Sequence, residues 1–328
     1  MKKLLPTLRL SLDMTDVLAK IEHAGIKINL ETLDEIRNEY EHELTTIDKR
    51  LKEIVSDVMG DTPINLNSAD DRSMLFYSRK INNKETWARM FNIGHEMRGA
   101  TKKIKMRKPM SKTNFAAAIR NNTQIIKKTT GYQCGTCEGE GRLRFKLKNG
   151  QLGKANRLCK NCNATGVVYS QSNQVAGLRI VPRNTKDVAQ AGFKTDKTTL
   201  DGMLSSLKGE AKEFVELYVR YSALRTYLST FVEGMENNID ENNFIHPEFM
   251  QCITATGRLS SRNPNFQNMP RGSTFRIRKV VESRFEGGSI IEGDYSQLEF
   301  RVAGFLADDS QIYKDVREGV DVHSYTAS

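Results

Sequence analysis

An α+β fold, mainly α, is what this sequence of 328 residues predicts. Three observations carry that expectation. Two long stretches space their apolar residues as a helix does, one apolar run ahead of Asp294 reads as a strand, and two Cys-x-x-Cys pairs sit among short segments between the long stretches. A chain of this length has room for two or three domains.

Taken in order, Met14, Val17, Leu18 and Ile21 recur at helical spacing, and Gly25 supplies a stop before a short extended piece, Ile26–Ile28. A long helix is expected from about Glu31 to Val58, with Leu33, Ile36, Tyr40, Leu44, Ile47, Leu51, Ile54 and Val58 on one stripe and Gly60 at its end. A second runs from about Glu210 to Asn237, with Phe214, Leu217, Tyr221, Leu224, Leu228, Phe231 and Met235 as its buried face. The two stripes can pack as an antiparallel pair. Between them, residues 91–195 lack sustained periodicity and read as an insertion, with one helix within Ser111–Lys128 and short strands from Tyr132 to Tyr169. After Asn238 the text turns loop-like. Phe275–Val281 fits a strand or a helix, Ser289–Asp294 reads as a buried strand, and a helix follows from about Gln297 to Leu306. The expected boundaries are 1–90, 91–195 with the cysteine module at about 130–170, 196–250, and 251–328.

The net charge of +10 is unevenly placed: 21 lysines and arginines stand against 5 acidic residues between Asn92 and Asp196, and the remainder is net acidic. A basic middle points either to a polyanionic partner at one surface or to a solvated charged loop. No run of 18 apolar residues exists, so no membrane span is expected. Pro6 and Arg9 break the apolar start that would mark a signal peptide.

Cys134-Gly-Thr-Cys137 and Cys159-Lys-Asn-Cys162 each present two thiolates on a tight turn. Two such turns facing each other make a closed tetrahedral shell of four sulfurs, which suits structural Zn²⁺ and leaves no open position for catalysis. A redox Cys-x-x-Cys usually stands alone beside a thioredoxin-like pattern, which is missing here. Cys252 reads as a packed core thiol. Cys137-Glu-Gly-Glu-Gly141 resembles a knuckle of the DnaJ cysteine-rich domain, a local likeness that carries no chaperone function. Around the cysteines lie Arg142, Arg144, Lys146, Lys148, Lys154, Arg157 and Lys160, preceded by Lys102, Lys103, Lys105, Arg107 and Lys108. Such residues can neutralise phosphates without reading sequence, so the insertion is expected to grip DNA.

Two further strings are the most specific in the chain. One is Thr254-Ala-Thr-Gly-Arg-Leu-Ser-Ser-Arg-Asn-Pro-Asn-Phe-Gln-Asn268, the other Asp294-Tyr-Ser-Gln-Leu-Glu-Phe-Arg301. In this order they resemble the template-primer motif and motif A of family A DNA polymerases, the bacterial DNA polymerase I type. Asp13–Ile28 is similar to the start of that family's polymerase domain, Ile64–Asp70 to a thumb segment, and Lys194–Leu200 to the segment before the second long thumb helix. About two-thirds of the chain is covered, with 91–195 outside. The resemblance implies a helical thumb, the beginning of a palm and a zinc-knuckle insertion.

It also implies roles. Asp294 would ligate Mg²⁺ with help from the Tyr295 carbonyl, in a two-metal nucleotidyl transfer. Glu299 would stack on the incoming sugar and exclude a ribose 2′-hydroxyl, although Ser296-Gln-Leu-Glu299 is also a capping box. Arg258 and Gln267 would monitor the primer-template minor groove, with Asn268 and Arg262 assigned more loosely. There a donor meets acceptors common to every correct pair. Asp321-Val-His323 is similar to a string whose histidine reaches the incoming triphosphate, so His323 is expected to do so. The family's fingers helix and its His-Asp-Glu string are not found in this sequence. The expectation is therefore a truncated or split polymerase, inactive without a C-terminal half. Its partners would be primer-template DNA and deoxynucleoside triphosphates, in the cytoplasm of a bacterial host cell, with a bacteriophage source. The competing reading is a non-catalytic zinc-dependent DNA-binding protein derived from a polymerase; a DnaJ-like interaction module is a third.

Overall fold

The computed structural model describes residues 5–93, 110–147, 151–270 and 275–320. Helix α1 (Leu5–Ala24) leads into β1 (Ile26–Ile28) and α2 (Leu30–Met59). Then come α3 (Ala69–Tyr77), β2 (Arg79–Ile81), α4 (Lys84–Met90) and α5 (Lys112–Asn122). Strands β3 (Thr123–Ile125), β4 (Lys127–Gln133), β5 (Arg142–Lys146), β6 (Leu152–Leu158) and β7 (Val167–Val175) follow. Short strands β8 (Val188–Ala189) and β9 (Gly192–Phe193) precede α6 (Lys197–Leu204) and α7 (Gly209–Tyr227), which continues through a π-helical turn, Leu228–Val232, into α8 (Glu233–Glu236). The remaining elements are β10 (Phe244–Ile245), β11 (Glu248–Met250), β12 (Ser260–Arg262), β13 (Val281–Glu282), α9 (Leu298–Ala307) and α10 (Ser310–Arg317). Many helices with only two- and three-stranded sheets make the α+β class expected from the sequence. Among the described residues no helix is long and apolar enough to cross a membrane.

The chain folds as two compact units. One gathers Met1–Leu30, Ile239–Arg262 and Pro270–Ser328; the other gathers Glu31–Asn238 and Asn263–Met269.

In the larger unit, α2 buries Leu33, Ile36, Tyr40, Ile47, Leu51, Ile54 and Val58, nearly the stripe read from the sequence. Each such side chain contributes about 1.5–3 kcal/mol when fully buried. Its partner is the α7–α8 segment. Tyr40 meets Tyr227 edge-on with ring centroids 5.1 Å apart. Arg37 pairs with Glu236, Arg220 with Glu43 at 2.6 Å, and Arg50 with Glu213 at 2.7 Å. From 43 to 50 on α2 the partners step back from 220 to 213 on α7, so the helices are antiparallel. These ion pairs are half-exposed and are worth at most about 1 kcal/mol each; the apolar seam holds the pair.

Local signals set the ends. Gly60 follows α2 at φ +74°, and a Cβ there would collide with the Thr129 carbonyl at the start of β4. Only glycine lets the helix end and the strand approach this closely. Ser68, Asn83, Ser111 and Asp196 cap α3, α4, α5 and α6 by accepting N–H bonds from Asp71, Thr86, Asn114 and Thr199. The helix expected within Ser111–Lys128 stops at Asn122, because Thr123–Ile125 leaves to pair antiparallel with β2. β4 and β7 form one antiparallel ribbon, β5 and β6 another.

In the smaller unit, β1 lies between β10 and β13, antiparallel to both. Phe275–Val281 resolves into a 3₁₀ turn over Ile277–Val280 that enters β13. The buried strand expected over Ser289–Asp294 is a correction. The segment is not in a sheet, and Ile291 is 93% exposed. A strand is buried by hydrogen-bonded neighbours and a covering layer, and no described residues supply them here. Cys252 is exposed rather than packed.

Leu51→Ala is expected to lower stability by about 2–5 kcal/mol in urea unfolding followed by circular dichroism, because Leu51 is fully buried. Asp196→Ala is expected to cost about 1 kcal/mol through the lost cap. Partial burial raises the Asp196 carboxyl, but the Thr199 N–H and hydroxyl donors outweigh it, and the group titrates below its ordinary value. Its contribution is present above the unfolded carboxylate value and fades as pH falls through the lower folded one. The cost of Asp196→Ala should shrink in acid over that window.

Candidate functional site

The cysteine module is two copies of one turn, offset by 25 residues. The Cys134 N–H donates to the Gly166 carbonyl at 2.8 Å, and the Cys159 N–H to the Gly141 carbonyl at 2.9 Å. The Gly141 N–H points at Cys137 Sγ and the Gly166 N–H at Cys162 Sγ, both at 3.3 Å. A Cβ at Gly141 would strike the backbone of Ala164, and one at Gly166 the backbone of Gly139, so both glycines are steric requirements of the pseudo-symmetric fit. The repeat is imperfect: Ala164 takes the place of Gly139 and holds φ +65°.

The result is a hollow lined by four buried sulfurs. Cys134 and Cys159 Sγ lie 3.8 Å apart, Cys137 and Cys162 Sγ 3.6 Å, and all four lie within 4.8 Å of one another. A regular tetrahedron with arms of about 2.3 Å, the Zn–thiolate length, has edges of about 3.8 Å. The four residues therefore fit a tetrahedral metal ion. Burial pushes the Cys134 thiol up, but donors from the Asn161 amide and the Cys137 and Thr136 backbone outweigh it and bring it down to about 6. Cys137 moves up to about 12, through burial and its hydrogen-bonded neighbour Cys162. Thiols this close cannot all ionise without a cation among them. Asn161, whose amide reaches Cys134 Sγ at 3.4 Å and Thr136 Oγ1 at 3.2 Å, was missed by sequence reasoning. The only signal for it was a polar residue between the second pair of cysteines.

Of the basic residues around the cysteines, Arg142, Arg157 and Lys160 are exposed, and Arg144 pairs with Glu140 at 2.7 Å. Lys102, Lys103, Lys105, Arg107, Lys108 and Lys148 lie outside the described residues, as do the side chains of Lys146 and Lys154.

The second candidate site is in the smaller unit. Arg258, in the turn after Thr254, bonds the Glu299 carboxylate in the first turn of α9. The two motifs are thus brought together through the arginine of one and the glutamate of the other. Asp294, five residues before Glu299, is exposed in the extended segment, as is Tyr295. The capping box expected of Ser296 and Glu299 does not form: Gln297 takes the cap position at φ +52° with no side-chain bond, and Glu299 is turned to Arg258 instead. Arg262 pairs across the β11–β12 hairpin with Glu248 at 2.5 Å. Gln267 and Asn268 are exposed on a 3₁₀ turn capped by Asn265, within the larger unit. His323 and Asp321 lie outside the described residues.

A solved structure, the POL domain of Pol1 from M. smegmatis in complex with DNA primer-template and dNTP, matches 97% of this chain and 37% of its own with a TM-score of 0.53 and 20% identity, a likeness of fold. The profile of DNA polymerase family A matches residues 169–328. Among curated relatives, the thermostable DNA polymerase I of Thermus filiformis is 38% identical over 142 residues, which is 41% of this chain and 17% of the relative. DNA polymerase I of Treponema pallidum is 36% identical over 139 residues, 42% of this chain and 13% of the relative. The match to DNA polymerase family A thus takes in just under half of the chain. The chain spans less than a fifth of the length of these curated relatives.

Elemental analysis of the purified chain is expected to give one tightly held divalent ion, lost in a Cys134→Ser, Cys159→Ser double variant. Ala164→Gly is expected to raise the melting midpoint of the metal-loaded protein, since it relieves a left-handed alanine worth about 1 kcal/mol.

Proposed function

We propose that this chain supplies the thumb and the N-terminal palm portion of a DNA-directed DNA polymerase. The contact between Arg258 and Glu299 carries the reading, because it ties the arginine of the template-primer string to the glutamate of motif A within one compact unit. The match of residues 169–328 to DNA polymerase family A supports it.

Asp294 offers two hard carboxylate oxygens, unburied, at the end of an extended segment. Those are the donors Mg²⁺ takes, and the Tyr295 carbonyl adds a third. Bound there, the ion would bring the attacking 3′ oxygen and the triphosphate into one charge-stabilised arrangement. Glu299, held by Arg258, would test the sugar of the incoming nucleotide against its carboxylate. Arg258 and Gln267 are each assigned as a minor-groove donor toward the primer-template, Asn268 and Arg262 are assigned to the DNA more loosely, and His323 is assigned to the triphosphate. The four cysteines hold Zn²⁺ as a structural ion, and the exposed cations around them grip DNA phosphates.

A C-terminal polymerase half completes the palm. Support comes from the apolar surface left open around motif A: Ile290 and Ile291, then Leu298, Val302, Phe305 and Leu306 on α9, are all exposed. The α9 residues fall at helical spacing on one side, as a stripe awaiting a covering layer does.

Asp294→Ala, in an assembly with a polypeptide carrying family A fingers and the rest of the palm, is expected to reduce primer extension by about 10³-fold or more. Primer-template affinity by fluorescence anisotropy should stay within about twofold, since a single surface carboxylate carries no phosphate contact. Undiminished extension would leave the non-catalytic DNA-binding alternative in its place. Glu299→Ala in the same assembly should raise ribonucleotide incorporation relative to deoxyribonucleotide incorporation.

A further inference from the structure

Besides the cysteine module, the larger unit carries a hollow of about 260 Å³ where α5, the paired strands β2 and β3 and the segment after β7 converge. Its wall is aliphatic: Ile119, Ile125, Val175, Ile180 and Val181 line it, with Ile125 50% and Val181 78% exposed. Two arginines, Arg79 and Arg179, share that wall, and no acidic residue does.

Neither guanidinium has a carboxylate partner among the described residues. Arg79 donates to Thr123 Oγ1 at 3.1 Å, and Arg179 to the Val175 carbonyl at 3.2 Å, both neutral acceptors. The Arg179 backbone is fixed at φ +56°, where its N–H donates to Ser78 Oγ at 2.9 Å. Its neighbours Leu178 and Ile180 donate to the carbonyls of Leu75 and Phe76. A bulky residue held in the left-handed region on so fixed a backbone is pre-organised. Arginines that keep their charge uncompensated beside apolar side chains are typical anchors of binding surfaces.

Nucleic acid fits this hollow poorly. Phosphates make no use of an aliphatic wall, and bases need exposed aromatic faces to stack on. Tyr77, the aromatic residue on the wall, is buried and bonds the Lys194 carbonyl at 2.7 Å. A peptide with carboxylates beside large apolar side chains matches both properties at once. The apolar side chains enter the hollow, and the carboxylates meet Arg79 and Arg179 as charge-assisted, fork-shaped pairs.

We propose that this hollow is a docking site for an acidic, apolar-bearing peptide segment of another protein. It uses none of the residues assigned to the polymerase or metal sites, so either reading can fail without the other.

The test uses the full chain and a fluorescein-labelled peptide, Asp-Glu-Asp-Glu-Leu-Gly-Ile-Phe, in an anisotropy titration. Two control peptides replace the acids by Asn and Gln, or the Leu, Ile and Phe by Ser. Saturable binding is expected, weakened about tenfold or more by either replacement. Val181→Asp, at a position too exposed to affect folding, and the Arg79→Gln, Arg179→Gln double variant should each weaken it by a similar factor, with circular dichroism and metal content unchanged. The proposal is overturned if no saturable binding occurs, if the Ser-substituted peptide binds as well as the parent, or if Val181→Asp leaves binding intact. It is also overturned if a short single-stranded oligonucleotide binds this chain and loses that binding in Val181→Asp, which would make the hollow a nucleic-acid site.

Discussion

The seam between α2 and the α7–α8 segment is the constraint on which the larger unit rests. It is apolar along its length and antiparallel, and its ion pairs decorate its edges rather than hold it. One end of α2 then determines what happens to the cysteine module. Gly60 accepts the approach of β4, so the β4–β7 ribbon is fastened where the helix stops, and the paired turns ride on that ribbon. A basic, glycine-containing stretch with little periodicity of its own acquires a fixed place because a helix end has no side chain in its way.

The long elements were legible because burial on one side of a helix writes a period into the text. Leu33 through Val58 shows it without interruption, and Gly25 and Gly60 mark stops by their absent Cβ. Cysteine spacing was equally legible, since a metal shell fixes ligand type and turn length together. What sequence reading missed was set by partners distant along the chain. Thr123–Ile125 leaves α5 because β2 is available to pair. Ser296 and Glu299 look like a self-contained cap, yet Arg258, forty-one residues earlier, claims the carboxylate. No local pattern announces that competition. The assignment of Ser289–Asp294 as buried rested on composition alone, and composition does not supply neighbours.

The family resemblance was carried by the same two strings whose residues meet in the structure. Arg258 and Glu299 give that resemblance a physical basis, since one string fixes the side chain of the other. Arg262 shows the limit of such transfer. It stands in the same motif, yet its charge is engaged by Glu248 on the adjacent strand, and any contact with phosphate has to compete with that pair.

The near-duplication of the two cysteine turns has a consequence for how the module assembles. Each half ends by lending a carbonyl to the other half's first cysteine, so neither is complete by itself and both close in a single event. Formation should therefore be cooperative, without a stable half-built state, and a lesion in either turn would be felt equally on the opposite side of the twofold.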